Sequence, residues 1–199
     1  MASQTFSIAV GADDGTARKW GPAYPPDGST DSTASTTGTF IAPARNFETT
    51  TYKTEVALLR FDTSSLPDTA TVAAATLRVY INGYFTVNTR SLVAEWYDWG
   101  AAIDIADWTN TPGTTAHAGT LINSFTSPAS NDLALQNLSN VSLTGYTYLR
   151  LHVDGGTPTG ENYIIIDAFD HATSPEPKLI VEYAETPTLY TSIPMRVSS

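Results

Sequence analysis

Short apolar runs of period two, broken at close intervals by Gly, Pro and Thr, fill most of this chain. That spacing belongs to antiparallel strands and not to helices, which would repeat apolar residues every three to four positions. The run Glu55-Val56-Ala57-Leu58-Leu59-Arg60-Phe61 is nearly continuous in apolar character. It is too short for an ordinary helix, and it predicts a strand covered on both faces. In Ala75–Asn82, Leu77, Val79 and Ile81 fall on one side, while Thr76, Arg78, Tyr80 and Asn82 fall on the other. Tyr148–Asp154 alternates in the same way. Further strands are expected near 5–10, 86–96, 120–125, 162–169 and 177–183. The sum is about eight to ten antiparallel strands, enough for two stacked sheets in an all-β sandwich.

Three stretches break the pattern. Gly21–Thr39 is rich in Gly, Pro, Ser, Thr and Asp and reads as a long loop. Asp98–Ala118 carries Trp99, Trp108 and Pro112, with a helical turn expected near Ala101–Ala106. The chain therefore divides into a sandwich over 1–184 and an extended C-terminal arm over 185–199. In the arm, Leu189, Tyr190, Ile193, Met195 and Val197 alternate loosely with polar residues. An arm of that kind can add a strand to a neighbour's open sheet edge.

Composition narrows the function classes. Ten basic residues against 20 acidic ones give a formal charge of -10. Binding a phosphate backbone needs clustered cations, so neither nucleic acid nor an anionic membrane surface is an expected partner. With 41% hydrophobic and only 15% charged residues, a folded core is expected in place of disorder. There are no cysteines, so disulfides and thiolate chemistry are absent. The first ten residues lack a basic region followed by an apolar one, so no signal peptide is expected.

Candidate chemistry is sparse. His117 falls in a loop, His152 on the outer face of a strand and His171 at a strand-end turn, and none lies in a hydrolase motif. No catalytic set is expected. Asp13 and Asp14 follow the first strand, and Asp167 and Asp170 precede the last. If those loops meet, four carboxylates could hold a structural calcium ion; no other cofactor is expected. Trp20, Tyr24, Tyr97 and Trp99 stand in loop-like contexts, where rings can stack on sugars or anchor a protein interface. For Trp20 and Tyr24 an intramolecular role is equally open. Trp96 and Trp108 are expected as plugs at the sandwich ends, their indole N–H groups bonded to carbonyls. Arg60, Arg78 and Arg150 each follow a Leu on a strand and predict cross-strand pairing with acidic residues or Tyr.

The order of several segments carries a resemblance. Leu58-Leu59-Arg60-Phe61-Asp62 precedes Ser65-Leu66-Pro67, then Ala75-Thr76-Leu77-Arg78-Val79-Tyr80. Trp96 precedes Asp107-Trp108-Thr109-Asn110-Thr111-Pro112. Phe169-Asp170-His171 then leads to Pro177-Lys178-Leu179-Ile180-Val181-Glu182-Tyr183. Over residues 5–184 this series resembles the DNRLRE domain family and its carbohydrate-binding relatives. The resemblance implies a jelly-roll sandwich that attaches to glycans or to other proteins. A stand-alone copy is similar to the form found in phage virion proteins. The expectation is therefore a non-enzymatic virion component, made in the host cytoplasm. It would be a capsid decoration or auxiliary protein contacting the major capsid protein and copies of itself. The alternative is a carbohydrate-binding module or host-glycan adhesin in a tail, neck or fibre.

Overall fold

The computed structural model describes residues 1–108, 111–173 and 175–185. Thirteen antiparallel strands make up the fold, and the only helical elements among the described residues are 3-10 turns. The strands are β1 (Ala2–Ser7), β2 (Asp14–Gly21), β3 (Asp31–Ser35), β4 (Phe40–Ile41), β5 (Ala44–Glu48), β6 (Thr51–Asp62), β7 (Thr71–Thr86), β8 (Ser91–Trp96), β9 (Thr114–Leu121), β10 (Ala129–Leu135), β11 (Tyr146–Val153), β12 (Asn162–Asp167) and β13 (Lys178–Ala184). One layer runs β1-β13-β7-β10, with β12 along the far half of β7. The other runs β3-β2-β6-β11-β8-β9, with β5 beside the first half of β6. A pairing of Tyr163 with Ala44 joins the layers at one side. The steps β6 to β7, β7 to β8, β9 to β10 and β10 to β11 each cross between layers, so the chain wraps its core as a jelly roll does.

The alternation read from the sequence decides what is buried. Ala57, Leu59 and Phe61 of β6 meet Leu77, Val79 and Ile81 of β7 and Leu149 and Leu151 of β11 in the main core. Seven of these are 0% exposed and Phe61 is as well; full burial of each large side chain stabilises by about 1.5–3 kcal/mol. The opposite face of β6 is covered too. Ala17, Val56 and Leu58 pack against Trp99 and Trp108 in a second, smaller cluster. This explains why the β6 segment is apolar at successive positions.

Several strands were not legible. β2, β3, β4, β5 and β10 raise the count to thirteen, and β3 lies inside the segment expected to be a loop. β2 reads Asp-Gly-Thr-Ala-Arg-Lys-Trp-Gly, with only Ala17 as a fully buried apolar side chain. Ladder bonds to β3 and β6, not apolar burial, hold it in place. Gly15 is required there, because a Cβ would collide with the Ser35 carbonyl oxygen. His117, expected in a loop, sits on β9. The helical turn falls at Ile105–Asp107, capped by the Asp104 side chain.

Candidate functional site

Segment 97–108 folds over the outer face of the second layer and leaves a cavity of about 100 Å³ beside it. Strands β5, β6, β8 and β11 floor the cavity, and Trp108 and Pro112 wall it. Outward positions of β8 and β11 supply Glu95, Arg150 and His152, and β5 and β6 add Arg45 and Glu55. Glu95 and Arg150 are cross-strand partners in register. The Arg150 guanidinium donates from Nε (3.0 Å) and Nη2 (2.6 Å) to Glu95 Oε2, and from Nη2 to the Thr111 carbonyl at 2.8 Å. His152 Nε2 lies 3.4 Å from Glu95 Oε1. Burial alone would raise the Glu95 carboxyl; the His152 and Arg150 hydrogen bonds and charges overcome it and hold the group at about 2. Near neutrality Glu95 therefore has no proton to give.

Two tyrosine–arginine pairs bracket this cavity. At one end the Tyr97 ring lies 4.3 Å from the Arg150 guanidinium. At the other the Tyr24 ring lies 5.7 Å from Arg45, whose Nη1 donates to the Tyr24 hydroxyl. Arg45 Nε also donates to the Val153 carbonyl at 2.8 Å. Burial, with Arg90 close by, lowers Arg45 to about 10 against the pull of Asp154. At the rim, Lys53 pairs with Glu55 at 2.9 Å and stands 5.6 Å from the Trp20 ring. The arrangement offers hydrogen-bond donors and acceptors beside half-buried rings, which suits recognition of a polar ligand.

The structure sorts the expected aromatic residues. Trp20, Tyr24 and Tyr97 are half-buried; none lines the cavity itself, and each ring stands beside a cation, Lys53, Arg45 and Arg150 respectively. Trp99 is corrected: it is 5% exposed, locked in the second cluster with its Nε1 donating to the Leu59 carbonyl, so its ring faces no ligand. It stood next to Gly100 in a polar stretch, and only the covered face of β6 explains its burial. Trp96 and Trp108 are buried with bonded indoles as expected, but Trp108 covers the outer face of β6 and is not a plug at a sandwich end. Trp96 donates to the Gln136 carbonyl at 2.8 Å, and Trp108 donates to the Thr54 carbonyl at 3.1 Å. The expected cross-strand pairing with acids holds for Arg78 and Arg150, whereas the acid that meets Arg60 lies in the 3-10 turn Gly11–Asp13. Arg78 makes a bidentate pair with Asp132, Arg150 pairs with Glu95, and Arg60 pairs with Asp13 at 2.6 Å between the Trp99 and Tyr146 rings. Arg45 and Glu95 were missed. Nothing local in the sequence distinguishes them, because their roles come from pairings between strands remote in the chain.

The first and last loops do meet. Asp14 accepts the Phe169 N–H at 2.8 Å, and Asp170 approaches Gly11. Asp13 is engaged by Arg60, and Asp167 accepts from Asn82 at 3.2 Å. Among the described residues no group of three acidic or histidine side chains stands in metal-binding reach. The arm residues Leu189, Tyr190, Ile193, Met195 and Val197 lie outside the described residues, as do Thr109 and Asn110. Compared with known proteins, the chain matches no family model, and no curated protein is significantly similar to it.

Proposed function

We propose that this chain is a non-enzymatic structural protein of a virion, a capsid decoration or auxiliary protein. It attaches to the major capsid protein and to copies of itself through its loops and its C-terminal segment. The observation that carries this reading is the exposed apolar end of β7. Tyr84 and Phe85 of β7 and Val87 just after it are 37%, 45% and 53% exposed, close together along the chain, whereas the other exposed large apolar residues (Met1, Val10, Phe40, Leu121, Tyr146 and Phe169) are scattered along it. Exposed apolar groups gathered at one end of a rigid body suit attachment to another protein. The charged groups of the outer face support the same reading, since the Glu95 and Glu55 carboxylates are each tied to a cation. Particles assembled without this chain should bind it when it is added back and should carry it down on sedimentation. Phe85→Ser combined with Val87→Ser should weaken that binding by about tenfold or more, as loss of interface anchors does. Unchanged co-sedimentation of the double variant would remove the support for attachment through this end.

A carbohydrate-binding role is the second reading, and the cavity on the outer face favours it. Trp20, Tyr24 and Tyr97, each beside a cation at or next to the cavity, offer rings for a sugar to stack on, and Glu95, His152 and Arg45, which line it, offer polar groups for sugar hydroxyls. On an array of bacterial and plant glycans the chain should give a binding signal that Trp20→Ala and Tyr97→Ala reduce. An array with no signal removes this role and leaves the structural one.

A further inference from the structure

Both layers end in strands, and the ends are treated differently. On one side β9 and β10 close against each other: the Gln136 N–H donates to the Ala116 carbonyl at 2.8 Å, and His117 Nδ1 meets the Ala134 carbonyl at 2.9 Å. The other side stays open, with β1 and β3 as its two edges. β3 carries a carboxylate on its edge. Asp31 pairs with Arg18 at 3.0 Å and turns its other oxygen to the Ser32 N–H and the Thr33 hydroxyl. An edge charge is a standard protection against unwanted strand pairing.

β1 has no such protection. Ala2-Ser3-Gln4-Thr5-Phe6-Ser7 contains no charge, no Pro and no Gly. It pairs with β13 over all six residues, from Ala2 opposite Tyr183 to Ser7 opposite Lys178, without a bulge. Among the described residues its other edge has no backbone partner. Only Phe6 is buried; Ser3, Thr5 and Ser7 are exposed on the outward face. An uncharged edge in unbroken register is a template for another strand.

We propose that β1 pairs with β1 of a second copy of this chain, antiparallel across a two-fold axis, so that the β1-β13-β7-β10 layer continues through the dimer. Charge complementarity selects this occupant. With Thr5 on the axis, Ser3 lies opposite Ser7 of the second copy. The rows then read Lys178–Ser7–Ser3–Glu182 from one copy to the other, and the same again in reverse. Lys178, whose Nζ lies 3.6 Å from Glu176 of its own chain in a half-exposed pair, and Glu182 share the outward face with the small serines between them. They stand about 14 Å apart at the backbone, three strand spacings, a gap that two long side chains reaching towards each other largely close. The central pair is Thr5 with Thr5, a favourable cross-strand combination. Most encounters between copies are opposed by the chain's charge of -10, whereas the axis itself carries no charge. The inference stands on the edge geometry and does not depend on the structural role proposed above.

Sedimentation equilibrium of the full chain, with hydrogen exchange of the β1 amides, tests this. The mass should double as concentration rises, and the outward-pointing β1 amides should become protected in step. Thr5→Lys places two ammonium groups on the axis and should weaken the dimer by about tenfold. Added salt should partly restore it, and Thr5→Val should leave it intact. Thr5 is exposed, so circular dichroism and melting of the lysine variant should match the parent. Three results would each overturn the proposal. One is a monomer at every concentration, whether its β1 amides exchange freely or are already protected by the chain's own residues. Another is a dimer whose β1 amides exchange at the monomer rate. The last is a dimer indifferent to Thr5→Lys.

Discussion

Replacing Arg150 by Ala is expected to destabilise the domain by about 3–5 kcal/mol, the usual cost of stranding one member of a buried ion pair. Glu95 would keep a side chain only 8% exposed and lose both hydrogen bonds from the guanidinium, with the His152 ring nitrogen at 3.4 Å from its other oxygen. The Thr111 carbonyl would lose a donor as well. For a domain of this size the melting temperature should fall by roughly 10 °C. The pH dependence separates this cause from simple loss of packing. In the parent, the Glu95 carboxyl sits at about 2, below its ordinary 4.5. Below 4.5 the unfolded chain takes up a proton that the folded chain refuses. Glu95 therefore stabilises the parent above about pH 4.5, and that contribution is lost as pH falls towards 2. Without Arg150, burial dominates and raises the carboxyl, so protonation should relieve the variant. Arg150→Ala should then be most damaging at neutral pH and much milder near pH 3. Adding Glu95→Gln should recover most of the loss, because no charge is then left buried alone. Urea unfolding of the parent, the single variants and the pair measures this, and a double variant no better than Arg150→Ala would refute the account.

That ion pair also marks where a reading of the sequence stops. The strands with clean alternation, β7 and β11, and the doubly covered β6 were legible because apolar burial alone decides them. The pairing habits of Arg60, Arg78 and Arg150 were legible too, since an arginine following a leucine on a strand must face outward. The identity of each partner was not. Glu95 meets Arg150 only because β8 lies beside β11 in a particular register, and 55 residues separate the two. The β2–β3 hairpin escaped notice for a different reason. Its residues are polar or small, and ladder hydrogen bonds place them where no hydrophobic period could announce them. Trp99 was misread through the same second face of β6, which buries a ring that its polar neighbours present as exposed. The cavity is the sum of these effects, with Arg45, Glu95, Trp108 and His152 drawn from four separate stretches of chain.

Asp14→Asn is expected to do the opposite of most substitutions and stabilise the fold above pH 6. Asp14 is 2% exposed at the start of β2. Burial pushes its carboxyl up to about 6; the Phe169 N–H works against this, and the nearby Asp170 and Asp13 charges add to it. The nearby Arg60 is already held by Asp13 at 2.6 Å. The sign follows from proton binding. Between the ordinary value of 3.8 and about 6 the folded chain keeps a proton that the unfolded chain has released, so stability falls as pH rises through that window. Above about pH 6 both states are ionised, and the full cost of the buried charge, on the order of 3 kcal/mol, is present. Asparagine carries no charge, and its side-chain oxygen can still accept the Phe169 N–H. The variant should therefore match the parent near pH 3.5 and gain about 2–3 kcal/mol by pH 8. The difference in unfolding free energy between variant and parent should open between pH 4 and 6 and stay constant above that window. Urea titrations at closely spaced pH values distinguish the cases. A variant that declines in parallel with the parent would show that Asp14 is already ionised at no cost where the first and last loops meet.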